Sequence, residues 1–162
     1  MPNWCEGSIK IRGKKDNVEK FLTEGVNRYS WDFKTNESIR LPKDSCVNIN
    51  EQDSYKEIDV WDAYIEGTRR AFIDELHAYI EPKDDEVCVV GAFRQAWCID
   101  ADSFDELKNK WDVDFRLYGV DCGMGFSQEV IAVRGGSVVN ISDDYGGYDN
   151  FVWECPLPRL GG

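Results

Sequence analysis

The sequence is poor in histidine, in methionine and in positive charge. Its 162 residues include one histidine, two methionines and 19 lysines and arginines, against 31 aspartates and glutamates. Ser-His-Asp or Cys-His catalysis would have to use His77, and its neighbours Leu76 and Ala78 offer no orienting group. Phosphate-binding and dinucleotide-binding glycine loops are also missing. We therefore predict that the protein is not an enzyme; an enzyme of unrecognised type is the alternative.

Long hydrophobic runs are absent too. No segment approaches the roughly 18 apolar residues that a membrane-spanning helix needs, and no charged and then apolar leader is present. With 42% hydrophobic residues, a chain of this length can bury the core of one domain. We expect a single domain over residues 1–162 that is cytoplasmic and has no membrane partner.

The deficit of basic residues gives the chain a formal net charge of −12. Binding to nucleic acid needs lysine and arginine to replace the counterions of the phosphates, so no direct nucleic-acid binding is expected. The carboxylates either form an ordinary solvated surface or occupy a basic, nucleic-acid-binding channel of a partner protein. Aromatic residues beside acidic ones suit such an interface. The candidate partner-binding residues are Asp84, Asp85, Glu86, Asp143, Asp144, Tyr145 and Tyr148.

Two segments carry a resemblance to a known family. The chain opens Met1-Pro-Asn-Trp-Cys5 and continues into a short alternating segment that ends at Gly13. Further on, Cys122-Gly-Met-Gly-Phe126 is followed by Glu129. Both segments resemble the YubB-type ferredoxin-like domains that phages and plasmids carry. The resemblance implies a βαββαβ antiparallel sheet and a phage-type accessory protein.

Hydrophobic periodicity fits an α+β fold of this kind. Helical spacing of apolar residues predicts a helix after Gly13, an inserted helix over Thr68–Ile80 and a helix from Ser103. Alternating segments predict strands, and Gly135-Gly136 between two of them predicts a C-terminal β-hairpin. The expected fold is a ferredoxin-like βαββαβ antiparallel sheet with the inserted helix and the hairpin as an extension.

Three of the six cysteines make a zinc site conceivable. In the expected sheet, Cys5 before the first strand, Cys98 after the third and Cys122 after the fourth lie at the same end. His77 or Cys155 could supply a fourth ligand to a closed tetrahedral zinc site. The alternative is that each thiol is an independent buried group. Structural zinc is the only cofactor that the sequence suggests.

The expected function combines the resemblance with the charge. A phage-type origin and an acidic surface predict a non-enzymatic protein that binds a host protein. The most concrete form is an inhibitor of host defence, an anti-CRISPR that blocks the nucleic-acid channel of a CRISPR effector nuclease. A phage protein of other function with an ordinary acidic surface is the alternative.

Overall fold

A computed structural model describes residues 3–145 as a largely antiparallel β structure with two α-helices on one face. In chain order the elements are β1 (Trp4–Lys14), α1 (Lys15–Glu24), β2 (Val26–Asn27), β3 (Tyr29–Asp32), β4 (Glu37–Arg40), a 3₁₀ turn (Lys43–Ser45), β5 (Val47–Glu51), β6 (Lys56–Ile65), β7 (Ala71–Ile80), β8 (Glu86–Ala96), α2 (Ala101–Trp111), β9 (Val113–Asp121), β10 (Phe126–Ala132) and β11 (Val139–Asp144).

Nine of these strands form one sheet. Its order is β11-β10-β9-β1-β8-β7-β6-β2, and β5 also pairs with β6. The first strand lies near the centre, so that Glu6 is opposite Arg94 on one side and Val120 on the other. The remaining strands, β3 and β4, form a separate hairpin.

The predicted ferredoxin-like βαββαβ fold is wrong, because the described chain builds a nine-stranded sheet and the inserted helix does not exist. The segment predicted as that helix contains strand β7. Its pairing with β8 shifts register between Ile73 and Glu75. Such a bulge adds a residue to the alternation of buried and exposed positions, and the resulting apolar spacing imitates a helix. The two other predicted helices correspond to α1 and α2.

Both helices pack on the same face of the sheet. Phe21 of α1 and Phe104 of α2 each contact Phe115 of β9 edge to face, with ring centroids 5.2 and 5.4 Å apart. On β1 the buried residues Ile9 and Ile11 point to this core. Since side chains alternate along a strand, the positions between them lie on the opposite, helix-free face of the sheet.

Candidate functional site

The two acidic groups that the sequence singled out lie at opposite ends of the sheet. Glu86 begins β8 and is paired with Lys14, at the end of β1 where β9 starts. Asp144 is paired with Phe126, which is itself opposite Asp121 at the far end of β9. The length of β9, at about 3.3 Å per residue, separates the two groups by about 26 Å. They do not form one continuous patch.

The group around Glu86 is partly engaged by the protein itself. The Glu86 carboxylate forms a 3.3 Å ion pair with Arg134. One Asp84 side-chain oxygen accepts a 3.1 Å hydrogen bond from the backbone N–H of Glu81, and the Asp85 carbonyl accepts one from Lys15. The ion pair with Arg134 offsets the charge of Glu86, whereas the carboxylates of Asp84 and Asp85 keep theirs.

The second group lies on β11, at the edge of the nine-stranded sheet. Every residue of β11 is exposed, including Val139 and Ile141 at 45% and 49%. Asp143 and Asp144 follow in the same strand, and the Tyr145 hydroxyl lies 3.2 Å from that of Ser127. Apolar and acidic side chains thus share one exposed edge. Tyr148, predicted beside them, lies outside the described residues.

The structure places Cys5, Cys98 and Cys122 at the same end of the sheet, as predicted from the strand directions. Their surroundings differ. Cys5 is fully buried, and burial, with a smaller contribution from Asp121, raises the pKa of its thiol to about 12. The Cys98 sulfur accepts a 3.5 Å hydrogen bond from Arg69, and Cys122 is exposed. Within residues 3–145 no three histidine, cysteine or acidic side chains are grouped so that they could hold a metal ion.

His77 is not brought to these cysteines. It lies on β7, six positions beyond Ala71. Ala71 and Cys5 are level across the sheet, because both are paired with Gln95 of β8. Six residues of strand correspond to about 20 Å. The ring of His77 is exposed and bonds to the Asp59 carboxylate through Nδ1, which raises the pKa of His77. Cys155, the other predicted fourth ligand, is outside the described residues.

The zinc hypothesis for the three cysteines stays a prediction. If they ligate zinc, the purified protein carries about one equivalent, and Cys98→Ser both removes it and lowers the melting temperature. Cys88→Ser is the matched control, since this exposed thiol lies near the opposite end of the sheet. We expect His77→Ala to leave the zinc content unchanged. Elemental analysis that finds less than about a tenth of an equivalent would contradict zinc ligation.

A groove on the helix-free face was not predicted from the sequence. It has a volume of about 700 Å³ and lies between the β3–β4 hairpin and strands β6, β7 and β8. Its lining consists of aromatic, acidic and arginine side chains, namely Arg28, Tyr29, Ser38, Asp62, Tyr64, Glu66, Phe72 and Arg94. These residues come from distant parts of the chain. The aromatic residues are the one sequence signal for the groove, but the apolar spacing predicts Phe72 within a helix.

Aromatic rings form a continuous row across this face. Tyr29 contacts Tyr64, Tyr64 contacts Phe72, and Phe72 contacts Trp4, all edge to face with centroids 5.7, 5.7 and 5.9 Å apart. The hydroxyl groups of the two tyrosines are directed to protein acceptors, Glu66 and the Thr68 carbonyl. The rings therefore leave a largely apolar wall along the groove.

Charges of both signs accompany the rings. The Arg94 guanidinium lies 5.3 Å from the Trp4 centroid and 5.2 Å from that of Phe72, and it forms a 2.7 Å ion pair with Asp74. Burial raises the pKa of Asp74, while Arg94 opposes that rise. Arg28 forms a 3.2 Å ion pair with Asp62. The groove thus contains a half-buried arginine, Arg94, which rings and carboxylates hold in place. Beside it lies a more exposed carboxylate, that of Asp62.

Comparison of the chain with protein-family models, with curated proteins and with solved structures finds no match. In the described part of the chain no helix is long and apolar enough to cross a membrane.

Proposed function

We propose that this protein is a non-enzymatic, acidic binding protein of phage type that engages a basic host protein. Its most concrete role is inhibition of host defence, as an anti-CRISPR that binds a CRISPR effector nuclease and blocks the channel for nucleic acid. Such channels are lined with positive charge to hold a heteroduplex by its backbone, so a carboxylate-bearing surface is complementary to them.

The β11 edge is the observation that carries this proposal. It presents Asp143 and Asp144 next to the exposed apolar side chains of Val139 and Ile141. Charge attracts a basic partner and speeds encounter, whereas buried apolar contacts slow dissociation. Among residues 3–145, β11 pairs only with β10, and the other edge of such a strand offers backbone N–H and C=O groups for pairing with a partner strand. The net charge of −12 favours approach to a positive surface over longer distances.

Neutralising the β11 carboxylates is expected to slow association with the partner. We predict that the D143N/D144N variant associates several-fold more slowly with a Cas9-type effector ribonucleoprotein and inhibits its cleavage less. Surface plasmon resonance and a cleavage assay measure the two effects. Raising the salt concentration from about 50 to about 500 mM should weaken the wild-type complex sharply, because exposed charge pairs are screened.

The matched control is D44N/D53N, which removes two exposed aspartates on either side of β5, at the far side of the sheet from β11. Equal slowing by both double variants would show that only the total charge matters and that β11 is not the contact. An affinity that is independent of salt, or no inhibition by the wild-type protein, would contradict the proposed function for this class of effector.

A further inference from the structure

We infer that the groove between the β3–β4 hairpin and the helix-free face of the sheet receives an arginine side chain from a partner protein. The inference rests on the proposed function in one respect, the basic character of the partner. It concerns a site far from the β11 edge. The nearest strand of the groove is β8, four strands away from β11, which is about 19 Å at about 4.8 Å between strands.

The protein itself shows how a guanidinium fits this surface. Arg94 is held between the rings of Trp4 and Phe72, with Asp74 at 2.7 Å. Arginine stacks on aromatic rings and pairs with a carboxylate at the same time, because its charge is spread over a planar group. The row of rings continues beyond Arg94 through Tyr64 to Tyr29, which is 39% exposed.

The charges at the groove favour a cation. Arg28 and Arg94 are its two arginines, and Asp62 and Glu66 are the carboxylates among its lining residues. Two further carboxylates surround Arg94: Asp74 is its ion-pair partner, and Glu6 is opposite it on β1. The Arg70 guanidinium also lies over the Trp4 ring, 5.6 Å from its centroid, so charges of the two signs are similar in number here. Asp62 is more exposed than the arginines of the groove, at 52% against 35% for Arg28 and 32% for Arg94, so its carboxylate is the charge that an incoming side chain meets.

Asp62 and Glu66 both have capacity for a further donor. The Asp62 side chain is 52% exposed, and its two contacts with arginines, at 3.2 and 4.0 Å, leave room on the solvent side. One oxygen of Glu66 accepts 2.6 Å hydrogen bonds from Asn27 and Tyr29. Its other oxygen has no hydrogen-bond donor among residues 3–145. Two carboxylates with vacant acceptor positions beside aromatic rings match the fork of donors on a guanidinium.

The backbone at Asp62 supports a functional role for this carboxylate. Asp62 has a φ of 46°, in the left-handed region. The pairing of β6 with β7 is interrupted at Asp62: Trp61 pairs with Glu75 and Ala63 with Ile73, but Asp62 has no partner in β7. A residue other than glycine pays a conformational cost there. Such positions recur where a side chain must be directed to a site. Here the irregularity places the carboxylate in the groove.

The test uses a small peptide with capped, uncharged termini, acetyl-Gly-Arg-Arg-Gly-amide. It is titrated into ¹⁵N-labelled full-length protein at about 150 mM salt, and binding is followed by the NMR shifts of the backbone amides. We expect amide shift changes centred on Asp62, Tyr64, Glu66 and Phe72, and binding about threefold or more tighter than that of the Lys-Lys analogue. Asn also tolerates the left-handed region, so Asp62→Asn should fold normally. It should weaken binding of the Arg-Arg peptide about fivefold.

Asp102→Asn is the matched single-charge control on α2 and should change the peptide affinity by less than about 1.5-fold. Equal weakening by the two variants, shift changes centred on β11, or equal affinity for the lysine peptide would each overturn the inference. If the Asp62 variant fails to fold, Phe72→Leu tests the same site by removing the ring while keeping an apolar side chain. Peptide binding is measured without an effector nuclease. If the protein fails to inhibit the nuclease, the proposed function is contradicted, but the peptide result still decides whether the groove binds arginine.

Discussion

Gly7→Ala is expected to destabilise the protein by at least about 3 kcal/mol or to prevent folding altogether. A Cβ atom at Gly7 would lie 2.0 Å from the carbonyl oxygen of Tyr118 and 2.9 Å from the Cα of Gly119. Both obstacles are backbone atoms of the neighbouring strand β9. Because β1 is paired on both sides, by β9 and by β8, it cannot move away from one strand without disturbing the other. Urea unfolding followed by tryptophan fluorescence measures the loss.

Gly136→Ala is the matched control for this substitution. The nearest atom to a Cβ there is the Val133 carbonyl oxygen at 3.5 Å, an ordinary contact, and Gly136 is not in the left-handed region. Its effect should stay within about 0.5 kcal/mol. If Gly7→Ala unfolds within about 1 kcal/mol of the wild type, the close approach of β1 and β9 at this position is wrong.

Asp114→Asn is expected to cost about 2 kcal/mol at pH 7 and much less at pH 2. The Asp114 side chain is 7% exposed and accepts hydrogen bonds from Arg12 and Arg134, the shortest at 2.7 Å. Burial acts to raise the pKa of this carboxyl group, but the bonds from Arg134 and Arg12 outweigh it and lower the pKa from 3.8 to about 2. The folded state therefore binds the proton less readily than the unfolded chain does.

The direction of the pH dependence follows from that difference. Stabilisation by ionised Asp114 is fully present above about pH 4, the unfolded value, and is lost as the pH falls towards about 2. Urea midpoints of the wild type and the variant should therefore converge over this interval. Asp143→Asn, on the exposed β11 strand, is the control and should change stability by less than about 0.5 kcal/mol. An equal cost of Asp114→Asn at pH 7 and pH 2 would contradict the ion-pair explanation.

Local pattern was sufficient for some elements. The helix predicted after Gly13 is α1, with Val18, Phe21 and Leu22 buried on one side, and the helix predicted from Ser103 lies within α2. Antiparallel pairing of β10 with β11 joins the two strands predicted on either side of Gly135-Gly136. In each case neighbours in sequence create the structure, through an apolar stripe or a tight turn.

Strand β7 shows where local pattern misleads. Its alternation is broken by the bulge near Asp74, and its apolar positions then satisfy a helical period equally well. Strand β7 pairs with both β6 and β8, and no residue of β7 reveals these partners. The incorrect helix contributed to the incorrect fold, in which it was an insertion into the βαββαβ sheet.

The sequence by itself determined the negative charge and the lack of recognisable catalytic motifs. It also determined α1, α2 and the turn at Gly135-Gly136, because these elements have local causes. Tertiary structure alone decided which distant residues became neighbours. It separated the acidic groups at Glu86 and Asp143 by the length of the sheet, and it brought Tyr29, Asp62 and Arg94 to one groove. The physical reason is that contacts across a sheet depend on strand order and register, which arise when the whole core is packed.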